Sequence, residues 1–204
     1  MNNKRLNSII MASAVTFLLL VVLTSAASAA TLKVGTGQTY TTIQDAVYAA
    51  KTGDTIKVYY GDYKENVYVY SSIKIQGVAS GKNLPKIIGF YIWGGSAAIS
   101  NFDISGDGQD YGVYVGYGCP SLSNNKFNVA STGLLINSDA FKNTKKSQCP
   151  KVKNNKFNGC DAGVYIDVGN NPGKLYGFTG NKFTSCDKKI TGAWELASKA
   201  KIKK

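Results

Sequence analysis

The segment LSNNKF at Leu122–Phe127 decides the fold, because the chain repeats it. It recurs as VKNNKF at Val152–Phe157 and as FTGNKF at Phe178–Phe183, and a weaker copy, ISNFDI, spans Ile99–Ile104. Successive copies start 23, 30 and 26 residues apart. Repeats of this length are typical of a solenoid, in which each coil buries its apolar face only against the next coil.

A short alternating strand follows three of the copies. The sequences GVYV, GLLI and GVYI begin at Gly112, Gly133 and Gly163. We therefore predict an all-β solenoid whose coils share apolar columns. The residues expected to point inward are Ile99, Leu122, Val152 and Phe178; Ile104, Phe127, Phe157 and Phe183; Val113, Leu134 and Val164; and Val115, Ile136 and Ile166. Leucine-rich repeats form the rival solenoid, and their leucine spacing is absent from this sequence.

The asparagines of the repeat are predicted to be structural rather than catalytic. Asn124 and Asn154 occupy one column, and Asn125, Asn155 and Asn181 occupy the next. Asparagine tolerates the left-handed conformation of tight turns. Stacked asparagines also hydrogen-bond to one another from one layer to the next.

Four cysteines stand at fixed offsets from the repeat. Cys119 and Cys149 each lie three residues before a copy, and Cys160 and Cys186 each lie three residues after one. Equivalent residues of neighbouring coils lie about 4.8 Å apart, and a disulfide needs Cα atoms roughly 4.4–6.8 Å apart. We predict the pairs Cys119–Cys149 and Cys160–Cys186. A zinc site is disfavoured because the sequence has no histidine and no CxxC pair.

The N-terminus has the pattern of a secretory signal peptide. A basic start is followed by an apolar stretch at Ile9–Leu23 and by small residues at Ala27–Ala30. We predict a signal over residues 1–30, cleaved before Ala30 or Thr31, and a mature protein that is secreted or held at the cell surface without a transmembrane segment. The alternative is an uncleaved membrane anchor, although the apolar stretch is shorter than the roughly 20 residues of a span.

The charge balance is strongly basic, with 24 Lys and Arg against 12 Asp and Glu. An extracytoplasmic basic protein can meet an acidic polysaccharide, a teichoic-type polymer or an anionic lipid. Nucleic acid is disfavoured as a partner because Arg5 is the only arginine and lies in the signal. The alternative is that the lysines form a solvated surface that only keeps the protein soluble.

A capping helix is predicted ahead of the coils. Thr42 is a suitable N-cap, and Gly53 is expected to stop the helix. One helical face is formed by Ile43, Ala46, Val47 and Ala50. We expect this helix, at about residues 42–52, to cover the open end of a domain that spans residues 31–192. A basic tail follows at residues 193–204.

The entry segment resembles a known family. The sequences TIQDAV, GDTIKV, GDYKENV and IKIQG, followed by GGSAAISNFDI, are similar to the opening of pectin methylesterases and other pectin lyase-like proteins. The resemblance covers Thr31–Ile104. It implies a right-handed parallel β-helix. Dividing the length of the chain by the repeat period predicts about five to seven coils.

The chemistry of that family does not carry over. Tyr111 stands where the esterases have the glutamine of QAVAL, and nothing matches their GxQDTL or LGRPW motifs. Asp167 in YIDVGNN comes nearest to the aspartate motifs of the esterases, but its position relative to the repeat differs from theirs. We therefore predict no catalytic residue. A diverged pectin methylesterase or polysaccharide lyase-like enzyme is the alternative.

A weak calcium candidate lies in DISGDGQD. Its acidic residues, Asp103, Asp107 and Asp110, fall within eight positions, and calcium favours such oxygen clusters on loops. The spacing matches no EF-hand, and Gly-Asp-Gly is also ordinary turn chemistry. No metal or other cofactor is therefore assigned.

Outward-facing aromatic residues form the candidate binding face. Strand alternation points these side chains away from the core, and Tyr91 and Tyr114 are separated by one repeat. The set comprises Tyr68, Tyr70, Tyr91, Trp93, Tyr114 and Tyr165. Flat aromatic rings flanked by lysines suit a sugar polymer. The alternative is that a loop covers the rings, or that outward tyrosines simply suit strands.

These observations favour a non-catalytic binding protein for polysaccharide or another anionic cell-envelope polymer. Besides the enzyme alternative, a structural surface-layer or adhesin module stays open, as does the oligomeric state. A copper-binding role is disfavoured because the sequence has no histidine and both methionines lie in the signal.

Overall fold

The computed structural model describes residues 28–141, 150–167 and 177–192. Within them the chain forms sixteen β-strands, one α-helix and a 3₁₀ helix at Ser138–Phe141. The elements are β1 Thr31–Val34, α1 Ile43–Ala49, β2 Thr55–Tyr59, β3 Asp62–Val69, β4 Lys74–Val78, β5 Lys86–Trp93, β6 Ala98–Ser100, β7 Asp103–Ile104, β8 Tyr111–Tyr117, β9 Ser121–Ser123, β10 Lys126–Phe127, β11 Thr132–Ile136, β12 Lys151–Lys153, β13 Lys156–Asn158, β14 Ala162–Ile166, β15 Lys182–Thr184 and β16 Lys188–Thr191.

The strands form two parallel sheets. The first sheet has the order β1-β2-β4-β6-β9-β12. The second has ten strands and divides at β5, with β7-β10-β13-β15 on one side (the first arm) and β8-β11-β14-β16 on the other (the second arm); β3 also pairs with β5. The chain visits the first sheet, the first arm and the second arm in turn, as in β9, β10 and β11. The protein is therefore a parallel, solenoid-like stack of coils.

The repeated segments pair with one another in the predicted register. Leu122 pairs with Ile99 on one side and Val152 on the other. Phe157 pairs with Phe127 and with Phe183. The predicted inward residues are buried, except that Phe183 is only partly covered. The sequence alignment thus describes the core, because each column is one side-chain position seen in successive coils.

A stack of phenylalanine rings fills one corner of the core. The ring centroids of Phe127 and Phe157 lie 4.5 Å apart, and those of Phe157 and Phe183 lie 4.9 Å apart. Gly133 lies beneath this stack, and a Cβ atom built on it would come 2.7 Å from the Phe157 ring. Glycine is therefore required there by space, because a methyl group would enter the volume of the ring.

The repeated asparagines have two structural roles, as predicted. Asn124 and Asn154 have φ angles of 57° and 54°, so they hold the left-handed turn between two strands. Asn125, Asn155 and Asn181 are buried and form an asparagine ladder. In it, the backbone N–H of Asn155 donates to Oδ1 of Asn181 at 2.9 Å, and Nδ2 of Asn155 donates to the carbonyl of Leu122 at 3.0 Å. The ladder satisfies turn groups that the sheets leave unpaired.

The predicted capping helix is present but shorter than expected. The Thr42 side chain accepts a hydrogen bond from the Asp45 N–H, and Ile43, Ala46 and Val47 are buried against β1, β2 and β3. The expected end near residue 52 was wrong, since the helix ends at Ala49. The backbone N–H of Lys51 instead donates to the Asp54 carboxylate at 2.8 Å. The helix therefore ends early, because the Lys51 N–H bonds to a side chain beyond the helix instead of to a helical carbonyl.

One predicted disulfide is confirmed. Cys160 and Cys186 are bonded, with their Cα atoms 4.4 Å apart. Cys119 is also disulfide-bonded. Its predicted partner, Cys149, lies outside the described residues, so that pairing stays a prediction. The predicted signal cleavage and basic tail concern residues 1–30 and 193–204, of which only residues 28–30 are described. In the part of the chain that the structure describes, no helix has the length and apolar character needed to cross a membrane.

Candidate functional site

The second sheet brings four of the six predicted aromatic residues into one column or beside it. Tyr68 on β3 pairs with Tyr91 on β5, and Tyr91 pairs with Tyr114 on β8. Trp93 lies two positions beyond Tyr91, where a bulge shifts the register. The outward direction of these side chains follows from strand alternation, since Val67, Val69 and Ile92 beside them are buried.

These rings contact one another and Tyr111, and the five residues together are called the aromatic cluster. The members are Tyr68, Tyr91, Trp93, Tyr111 and Tyr114. Tyr68 and Tyr91 stack with centroids 5.0 Å apart, and Trp93 lies 5.0 Å from Tyr114. Tyr111 lies 5.9 Å from Tyr91 and 5.3 Å from Tyr114. The cluster is thus one continuous aromatic surface rather than separate exposed rings.

The internal contacts decide which ring surfaces a ligand can reach. Tyr68 and Tyr91 cover one face of each other, because their planes differ by only 21°. Trp93 has 45% of its surface exposed. A Cβ atom built on Gly116 would lie 2.6 Å from the Trp93 indole, so the absence of a side chain there gives the indole its place. Trp93 is therefore the flat surface best placed to contact a sugar ring.

Polar groups hold the cluster in position. The Tyr91 hydroxyl donates to Oε1 of Gln109 at 2.8 Å. Asn137 Nδ2 donates to the Tyr114 hydroxyl at 3.2 Å. Tyr68 exchanges backbone hydrogen bonds with the Gln44 side chain on α1, at 2.8 and 3.3 Å. The contacts with Gln109 and Asn137 orient the two hydroxyl groups. Neither contact involves a charged group, which suits recognition of neutral hydroxyl-rich ligands.

The surroundings keep two of the hydroxyl groups protonated. Burial raises the pKa of Tyr91, and the nearby Tyr111, Tyr68 and Asp110 add to that effect when they are ionised. Burial also raises the pKa of Tyr111, with further contributions from Tyr114, Asp110 and Tyr68. Both phenols therefore stay hydrogen-bond donors above the pH at which free tyrosine ionises.

Two residues of the predicted face stand apart from the cluster. Leu135 occupies the column position between Tyr114 and Tyr165, so Tyr165 has no ring beside it on that side. Tyr70 follows the end of β3 and is 62% exposed. Among the described residues, neither Tyr70 nor Tyr165 makes an aromatic contact. The candidate surface is therefore the part of the predicted face that lies on β3, β5 and β8.

Sequence reasoning missed Tyr111, Gln109 and Asn137 as members of the site. Counting alternate residues back from the buried Val113 places Tyr111 inside the core. Strict alternation fails at this point, because Gly112 and Val113 are both buried although they are adjacent. Tyr111 consequently lies outside the core, against Tyr91 and Tyr114.

A row of lysines lies along the first arm rather than beside the rings. One register column runs from Lys86 on β5 into the first arm through Asp103, Lys126, Lys156 and Lys182. The acid that acts on the cluster is Asp110, through Tyr91 and Tyr111. The predicted aromatic face is therefore separate from the row of lysines on the first arm, and the two surfaces differ in chemistry.

The three aspartates of the weak calcium candidate are not brought together. Asp103 lies 3.6 Å from Lys126 Nζ, and Asp107 lies 4.0 Å from Lys64 Nζ, while Asp110 adjoins the aromatic cluster. Across the described ranges, no group of three acidic, cysteine or histidine side chains is arranged to hold a metal ion.

Comparison with known proteins finds no protein-family model, curated protein or solved structure that matches this chain. What can be said of its function therefore depends on its own residues.

Proposed function

We propose that this protein is an exported right-handed parallel β-helix protein of the pectin lyase-like type that binds polysaccharide without turning it over. The parallel strand order and the three-part coil support the architecture. The right-handed sense is supported by the strong preference of parallel strand crossovers for that hand and by the resemblance of Thr31–Ile104 to that family. The absence of the family's esterase motifs supports a binding role.

Export is supported by two independent features. The N-terminal sequence has the basic, apolar and small-residue parts of a secretory signal. The Cys160–Cys186 disulfide is of the kind that persists in oxidising compartments. The proposed location is therefore outside the cytoplasm, in solution or at the cell surface.

The aromatic cluster is the observation that carries the binding role. It offers the exposed indole of Trp93 beside phenol hydroxyls whose positions are held by Gln109 and Asn137. Aromatic surfaces bind the apolar faces of sugar rings, while oriented hydroxyl and amide groups meet the sugar hydroxyls. Large amphipathic rings of this kind contribute much of the affinity at binding surfaces.

The test is binding of the purified protein to a neutral glucan and to polygalacturonate, each at low and moderate salt. We expect Trp93→Ala to weaken glycan binding by roughly tenfold or more, because a central aromatic contact contributes at least about 1.4 kcal/mol. Tyr48→Ala is the matched control, since Tyr48 lies on α1 and is 72% exposed. Binding should also change the fluorescence of Trp93.

Three results would contradict the proposal. Equal affinity of wild type and Trp93→Ala would remove the cluster as the binding surface. Release of methanol or of unsaturated sugars would show an enzyme of the esterase or lyase type. Self-association without glycan binding would indicate a structural or adhesin module.

A further inference from the structure

A second concave surface lies on the first arm, away from the aromatic cluster, and is here called the basic cleft. It has a volume of about 450 Å³. The residues that the inference uses are Lys82, Lys86, Lys126, Lys156, Asn124 and Asn154. Among the described residues of its lining, Asp103 is the only acidic one, so four lysines face one carboxylate.

A tight turn forms one wall of the basic cleft. The backbone groups of Ser80 and Asn83 bond to each other in both directions, each at 3.0 Å. Lys82, Asn83 and Leu84 of this turn line the cleft. The strands of the first arm form the floor, so lysines approach the cavity from two sides.

The lysines of the floor are stacked in a way that costs free energy. Lys126 pairs with Lys156 in the register of β10 and β13, and Lys156 pairs with Lys182. Neighbouring parallel strands lie about 4.8 Å apart, and like charges directly opposite each other are destabilising. Only Lys126 has a carboxylate partner in the described residues of the cleft, at 3.6 Å from Asp103. A bound anion would remove this repulsion.

The donor types indicate which anion fits. The planar fork of arginine matches carboxylates and phosphates alike, whereas a lysine ammonium acts as a compact point charge that binds phosphates without a fixed geometry. Arg5 is the sole arginine of the whole sequence. Lysines of the turn and of the floor, with Asn124 and Asn154 in the same lining, surround the cavity from several directions, which suits a tetrahedral anion. The cavity volume is within the roughly 300–1,000 Å³ of ordinary ligand sites, so it can hold one or two sugar units.

We infer that the basic cleft is a second binding site, for the sulfate or phosphate esters of a sugar chain. It shares no residue with the aromatic cluster and does not depend on glycan binding there. The chemistry recognised is the tetrahedral ester anion, which either a sulfated or a phosphorylated polysaccharide supplies.

The test compares three dextran probes, namely dextran sulfate, dextran phosphate and unmodified dextran, with polygalacturonate as the carboxylate probe. The variant is Lys126→Gln with Lys156→Gln. Its control is Lys57→Gln with Lys74→Gln, which removes the same charge from exposed positions of the first sheet. Calorimetry at moderate salt gives the affinity, and thermal unfolding verifies that both variants are folded.

The expected result is tight binding of an ester-bearing probe over polygalacturonate, reduced roughly tenfold or more in the cleft variant, since each ammonium at an anionic surface changes affinity several-fold. The Lys57→Gln, Lys74→Gln control should bind the ester-bearing probe like wild type. Stronger binding of dextran sulfate or of dextran phosphate identifies the ester. Equal losses in both double variants would overturn the inference, because only net charge would then matter. A loss of polygalacturonate affinity in the cleft variant as large as its loss of ester affinity, or no binding to any charged probe, would overturn it as well.

Discussion

Asn155 is the residue on which most of the asparagine ladder depends. Its Oδ1 accepts from the backbone N–H of Asn125 at 2.9 Å, and its Nδ2 donates to Leu122 and to Asn181. The side chain is fully buried, so water cannot replace these bonds. One side chain thus satisfies two backbone groups of the preceding coil and also bonds to the Asn181 side chain of the next coil.

We expect Asn155→Ala to lower the free energy of unfolding by about 3 kcal/mol, because buried groups left without partners cost about 1–3 kcal/mol each. Denaturant unfolding measures the loss. Asn154→Gly is the matched control: Asn154 is exposed and has a φ of 54°, which glycine adopts freely. That variant should stay within about 0.5 kcal/mol of wild type. Equal losses in the two variants would contradict a special role for the ladder.

Tyr111 predicts a pH dependence at the alkaline end. Burial raises its pKa, so the folded protein holds this proton more tightly than the unfolded chain does. The resulting stabilisation is complete below about pH 10, where free tyrosine ionises, and is lost as the pH rises through the folded pKa. The unfolding temperature of Tyr111→Phe should therefore fall less steeply above about pH 10 than that of wild type. Tyr48→Phe, on the exposed face of α1, serves as the control, and an unchanged slope in Tyr111→Phe would contradict the assignment.

At the scale of secondary-structure elements, the contact between Gly133 on β11 and Phe157 on β13 joins neighbouring coils at one corner. A Cβ atom on Gly133 would come 2.7 Å from the ring and 2.8 Å from the Gly163 carbonyl. Neither neighbour has room to withdraw, since Phe157 is itself stacked between two other rings. The corner therefore accepts only glycine.

Gly133→Ala should destabilise the protein by about 2 kcal/mol, within the range for overpacked cores. Phe157→Leu should partly relieve this clash, so the double variant should lose less free energy than the two single variants together. Denaturant unfolding of all three variants measures the coupling. Strict additivity would show that the ring does not meet the added methyl group.

At the scale of the whole molecule, each coil contacts only its neighbours, so stability should vary along the stack. The Cys160–Cys186 bond joins the last two coils of the described chain. Nothing in this arrangement connects the bond directly to the first coils, where α1 packs on β1 and β3.

Replacing both Cys160 and Cys186 by serine should therefore increase amide hydrogen exchange in β15 and β16 and leave β2 to β5 near wild type. Mass spectrometry of peptides after exchange measures both regions in one experiment, so the first coils are the internal control. A uniform increase along the chain would show a fully cooperative fold instead.

The core columns could be predicted because a solenoid converts sequence periodicity directly into contacts. Phe127, Phe157 and Phe183 occupy the same position of successive copies, and parallel pairing places them one above another. The Cys160–Cys186 pair followed from the same register. The end of α1 could not be predicted in this way, because it depends on Asp54, which lies outside the helical pattern.

The functional surfaces depended more on tertiary structure. Alternation in the sequence identified Tyr91, Trp93 and Tyr114 as outward residues, but strict alternation fails at Gly112, so it did not identify Tyr111 as their neighbour. The basic cleft likewise needs the Ser80–Asn83 turn to carry Lys82 over the first arm.

The sequence by itself therefore determined which residues are buried and which strands are neighbours, because both follow from a repeat read along the chain. Only the tertiary structure decided which exposed groups converge, because breaks in alternation and loop turns set the direction of a side chain, and the repeat does not show which neighbours it meets.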